Sequence, residues 1–145
     1  MMQKLQNYQT ADVMGKSIPE LIIKVYDGAI TNMGKAKEHY DAGDFNAGYA
    51  AMEQAKKFLV HLYTTLDNEK GGEIADKLSK IYVFVIDQIN AVQATKDLSQ
   101  IDGSITVLKN VREGWAQLAA EVKKRPEIIT ENGPVTSTKN ISFSI

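Results

Sequence analysis

The chain has 145 residues, 43% hydrophobic and 24% charged, enough for one domain with a real core and too few for two comfortable ones. Its 17 basic and 18 acidic side chains leave a net charge of −1, without the cation surplus that general nucleic-acid binding needs. There is no cysteine, which excludes disulfides, thiolate metal sites and cysteine nucleophiles and suits a reducing cytosol.

Residues 1–16 carry scattered apolar side chains (Leu5, Tyr8, Val13, Met14) but no apolar block, so no secretory signal is read there and a polar arm resting on the body is expected. The first long helix opens at Ser17-Ile18-Pro19-Glu20: a capping serine, a proline in the first turn and a glutamate placed to complete a capping box. Ile22, Val25, Ala29, Met33, Ala36 and Tyr40 then make an apolar stripe. Such a helix, about 36 Å long at ~1.5 Å per residue, is stable only against other helices.

Gly43 suits the left-handed end of that helix and Asp44 can cap the next, over about 45–66. Its stripe is Ala47, Ala51, Ala55, Phe58, Leu62 and Leu66, and its small first half predicts close helix approach or a groove. Gly71-Gly72 breaks the pattern, and helix resumes near Glu73 with Ile74, Leu78, Ile81, Val85, Ile89 and Val92. Tyr82, Phe84 and Ile86 widen this stripe, so the third helix either sits centrally or keeps surface for a partner. The longest strongly apolar run, Ile81 to Ile86, is far short of the ~20 residues a membrane span needs.

Asp97 and Gln100 read as a capping box for a fourth helix over about 98–124, with Ile101, Ile105, Leu108, Val111, Trp115, Leu118 and Val122 inward. Lys123, Lys124 and Arg125 complement its dipole and Pro126 follows. Residues 126–145 read as an irregular tail with a weak alternation at Ile141, Phe143 and Ile145. The expected fold is all-α: an antiparallel up-down four-helix bundle over 17–125, with a short N-terminal arm or helix (1–16) and an irregular tail (126–145).

Chemistry finds little footing. His39 and His61 lack the Glu-x-x-His spacing of a di-metal bundle, since Ala36 and Phe58 stand three residues before them. Some 20–25 Å along the helices separates the two, too far to share a metal. No nucleophile elbow exists, and Gly71-Gly72 lacks the longer phosphate loop with its lysine. An enzyme is therefore not expected, nor a cofactor or metal.

Leu21-Ile22-Ile23-Lys24-Val25-Tyr26-Asp27-Gly28-Ala29-Ile30 and Leu66-Asp67-Asn68-Glu69-Lys70-Gly71-Gly72-Glu73-Ile74-Ala75 together resemble the FliS family, the flagellin-specific export chaperones. Ile81-Tyr82 and Val111-Arg112-Glu113-Gly114-Trp115 fall where the family carries Leu-Tyr and Leu-Arg-x-x-Trp, and Tyr8 and Val13 match its N-terminal spacing. The match covers about residues 7–120. Ile18 intervenes before the proline, Val83 replaces a common acidic residue, and the tail beyond Arg125 has no counterpart in the pattern.

The resemblance implies a cytoplasmic bundle that binds the disordered C-terminal segment of flagellin, prevents premature polymerisation and docks at the membrane export apparatus without inserting into the bilayer. It also implies partner-contact or groove-shaping roles for Tyr8, Tyr26, Gly28, Lys70, Gly71, Gly72, Glu73, Ile74, Leu78 and Tyr82. Each has a purely structural alternative: Gly28 as a close-contact residue, Tyr26 as core. A general helical adaptor for folded proteins remains a second class on the residues alone. The Tyr8 arm or the Ile141–Ile145 end is a candidate to fill the groove when the partner is absent.

Overall fold

The computed structural model describes residues 17–66 and 68–124; of residues 68–70 it describes the backbone only. Among them four helices follow in order: α1 (Ile18–Asp41), α2 (Phe45–Thr64), α3 (Asn68–Thr95) and α4 (Ile101–Lys124). The expected arm and tail, and with them Tyr8 and the Ile141–Ile145 end, lie outside the described residues.

The helix boundaries follow local chemistry. Ser17 Oγ accepts the Glu20 N–H at 3.3 Å while Glu20 Oε1 accepts the Ser17 N–H at 2.8 Å, a complete capping box. Gly43 takes φ +82° and Asp44 accepts the Ala47 N–H at 3.2 Å, so one short turn ends α1 and starts α2. The expected Asp97 cap differs. Its carboxylate accepts the Ser99 N–H at 2.9 Å within the loop, and α4 begins only at Ile101. The aspartate serves a local turn instead of the helix end.

Packing is cyclic. α1 lies between α2 and α4, α3 lies between the same two across the bundle, and the diagonal pairs make no backbone approach. This is the up-down four-helix bundle. The α1–α2 seam is the closest, and the small residues explain it. A side chain at Gly48 would come within 2.8 Å of the Tyr40 ring, and one at Gly28 within 2.6 Å of the Phe58 ring.

The core is built from Ile22, Tyr26, Met33, Met52, Leu59, Leu78, Tyr82, Val85, Ile89, Ile101, Leu108 and Trp115, with alanines between. Several positions correct the expected stripes. Tyr26 takes the place of Val25; Gly48, Met52 and Leu59 replace Ala47, Ala51 and Phe58; Ala75 and Tyr82 replace Ile74 and Ile81. On α4, Ile105, Val111, Leu118 and Val122 are half-buried while Ser104 and Ala119 are inside. On α1, α2 and α3 the observed positions alternate steps of 3 and 4, the 3.5-residue period of packed bundles, whereas runs of 4-4 steps drift to the edge of a seam.

Candidate partner-binding groove

The two flanks of α3 are told apart by its contacts. Gln93 Nε2 donates to the Tyr49 carbonyl at 3.2 Å and to Glu53 Oε2 at 2.9 Å, which marks the α2 side. The opposite flank, at steps of 3 and 4, reads Ile74, Lys77, Ile81, Phe84 and Gln88 and is turned towards α4. Ile74 and Phe84 are each 47% exposed and Ile81 is half-buried.

On α4, three ion pairs mark the α1 side. Arg112 holds Asp27 through Nε at 2.5 Å and Nη2 at 3.2 Å, Lys123 meets Glu20 at 3.4 Å, and Lys37 meets Asp102. The opposite flank of α4 is Val107, Val111, Gly114 and Leu118, half-buried but for an exposed Gly114.

These two apolar flanks border the α3–α4 seam. α3 and α4 approach each other least of the four neighbouring pairs, and no ion pair crosses between them among the described residues. Gly114 adds no side chain to fill the gap, and a Cβ there would meet nothing. At one end lies the kink of α3. Gly72 has φ +57° and ψ −128°, a conformation that L-residues with side chains rarely adopt, and Ile74 stands two residues beyond it.

The sequence-selected residues divide into two groups. Gly71, Gly72, Glu73, Ile74 and Leu78 gather at the kink end: Gly72, Glu73 and Ile74 exposed, Gly71 half-buried, Leu78 at the edge of the core. Glu73 pairs with Lys77 on the surface at 3.6 Å. Tyr26, Gly28 and Tyr82 are elsewhere. Gly28 lies under Phe58 in the α1–α2 seam, and Tyr26 and Tyr82 are buried in the centre. Tyr8 and the Lys70 side chain lie outside the described residues. Sequence reasoning names Phe84 only as widening a stripe and places Val111 and Leu118 in the core; Leu108, Val111, Trp115 and Leu118 run in steps of 3 and 4, so spacing alone carried no signal that two of them are only half-buried.

The tyrosine hydroxyls meet at 2.5 Å, with ring centroids 6.2 Å apart and planes at 63°. Burial pushes Tyr26 up to about 12, against the partial opposition of the Tyr82 hydroxyl and the Trp115 indole. Tyr82 is raised as well, by burial first and then by the neighbouring Tyr26. Both stay neutral at any physiological pH, so the pair is a hydrogen bond and not a reactive phenolate.

An open cleft of about 520 Å³ between α1 and α4 is lined mostly by charged groups, Lys37, Glu38, Asp41, Asp102 and Lys109, and bridged by the Lys37–Asp102 pair. No group of three metal-ligating side chains occurs among the described residues, and no helix is long and apolar enough to cross a membrane.

The flagellar protein FliS family model matches residues 1–122, most of the chain and all but the last turn of the bundle. The chain belongs to the FliS family. Among its relatives, the flagellar secretion chaperone FliS of Salmonella typhimurium is 32% identical over 108 residues, covering 74% of this chain and 80% of the relative. That of Vibrio cholerae is 25% identical over 121 residues, covering 81% and 89%, and that of Campylobacter jejuni 27% over 103 residues, covering 71% and 80%.

Proposed function

We propose that this FliS protein is a cytoplasmic export chaperone for flagellin. It takes the disordered C-terminal segment of the filament subunit into the α3–α4 furrow, keeps it from polymerising early, and hands it to the export apparatus at the membrane. The observation that carries the reading is the unpaired apolar flank Ile74–Ile81–Phe84 facing Val107, Val111 and Leu118 across the least closely packed seam of the bundle.

An amphipathic segment that folds as it binds would lay apolar side chains at steps of 3 and 4 into such a furrow. Those are the side chains that would otherwise drive the subunits together. No bond is made or broken, so the work is burial.

Calorimetry with a synthetic C-terminal flagellin segment tests this. Tight binding with a negative heat-capacity change is expected. Phe84→Asp, a substitution on exposed surface, should weaken it at least tenfold without lowering the melting temperature. No heat of binding, or equal affinity for wild type and Phe84→Asp, overturns the reading.

A further inference from the structure

The third helix faces an ambiguity that hydrophobic burial alone does not resolve. Two stripes along it share Leu78, Val85, Ile89 and Val92. One adds Ala75 and Tyr82; the other adds Ile74 and Ile81. They differ by a turn of roughly 30–40° about the helix axis, given 3.6 residues per turn. Burial of area favours the second, because isoleucine offers more apolar surface than alanine and carries no hydroxyl. The structure adopts the first: Ala75 and Tyr82 are buried while Ile74 is exposed and Ile81 half-buried.

We propose that the Tyr26–Tyr82 hydroxyl pair is the positioning device that selects the rotation of α3, and so holds Ile74, Ile81 and Phe84 out at the furrow instead of letting them close into the core. α1 and α3 are diagonal in the bundle and make no backbone approach, so this side-chain bond ties them directly. Turning α3 towards the isoleucine stripe swings the Tyr82 hydroxyl away and breaks the buried bond between the two hydroxyls, leaving Tyr26 only the Trp115 indole beside it, a costly loss. A buried polar pair that fixes register among near-equivalent apolar packings is a known way to gain specificity. The rotation itself stands on this geometry; only its consequence for flagellin rests on the function proposed above.

The cysteine-free sequence gives a clean test. A single reporter thiol is placed on either flank of α3, as Lys77→Cys on the α4 side or Ser79→Cys on the α2 side. Its reaction rate with Ellman's reagent is measured in the full chain and in the Tyr26→Phe/Tyr82→Phe background. Release of the lock turns the isoleucine flank inward. The reporter at 77 should then react at least threefold more slowly and the reporter at 79 at least threefold faster. Tyr26→Phe alone serves as a second, milder background in which the same opposed shifts are expected, smaller in size.

Rates unchanged within twofold in both backgrounds, or rates at both positions rising together as in general loosening, overturn the proposal. Neither readout uses flagellin. Opposed shifts without peptide binding would remove the chaperone reading alone, and peptide binding with unchanged rates would remove the lock alone.

Discussion

Two glycines show how much rests on one hydrogen atom. Gly48 lies beneath Tyr40, whose near ring atoms would meet a new Cβ at 2.8 to 3.0 Å. Tyr40 is itself buried and stacked beside Phe45 at 6.0 Å, so it has little room to give. Gly48→Ala should therefore destabilise by about 1–3 kcal/mol from overpacking, despite the ~1 kcal/mol that alanine gains in helix propensity. Gly34, where a Cβ would meet nothing, is the contrast. Gly34→Ala should stabilise by up to about 1 kcal/mol. Urea midpoints of the two variants, read side by side, check both signs. Sequence composition had marked the α2 glycine and alanines as permitting either contact or a groove; the ring positions decide for contact.

At the scale of the element, α1 and α3 behave differently although both carry wide apolar faces. α1 has its ends defined by sequence: the Ser17–Glu20 box and the left-handed Gly43. α3 instead contains a break. Gly72 sits at φ +57°, ψ −128°, with open space around its Cα. Gly72→Ala meets no clash, yet its backbone conformation is costly by of order 1–3 kcal/mol. The expected result is a helix that straightens or frays at its start, with loss of flagellin-segment affinity exceeding the loss of global stability. Amide exchange across residues 71–78, compared with the wild type, distinguishes a local from a global effect.

At the scale of the whole molecule, the bundle is fastened asymmetrically. Three ion pairs lace α1 to α4, small residues press α1 onto α2, and the α3–α4 side is left to half-buried aliphatics. Charge plays little part in holding α3; the buried tyrosines do. That has a pH signature. Both hydroxyls are raised above the ordinary value of 10, Tyr26 to about 12, because the interior rejects the phenolate. Below pH 10 both folded and unfolded chains hold these protons, and stability is unaffected. Above it the unfolded chain releases them and the folded chain does not, so stability should fall from about pH 10 to about pH 12. Urea midpoints across that window should decline steeply for the wild type and less steeply for Tyr26→Phe/Tyr82→Phe.

Helix number, order, the Gly43–Asp44 turn and the first capping box were legible in the sequence because they depend on contacts within four residues. So was the family, through motifs on α1, α3 and α4. The choice among neighbouring apolar residues was not. In Val25 against Tyr26, Ile74 against Ala75 and Ile81 against Tyr82, hydropathy favours the residue that the structure leaves outside the core. They are settled by partners more than fifty residues away, above all by two hydroxyls meeting across the bundle. A furrow is likewise a difference between two packed faces, and it exists only once α3 and α4 have been set at their distance by the helices on their other sides.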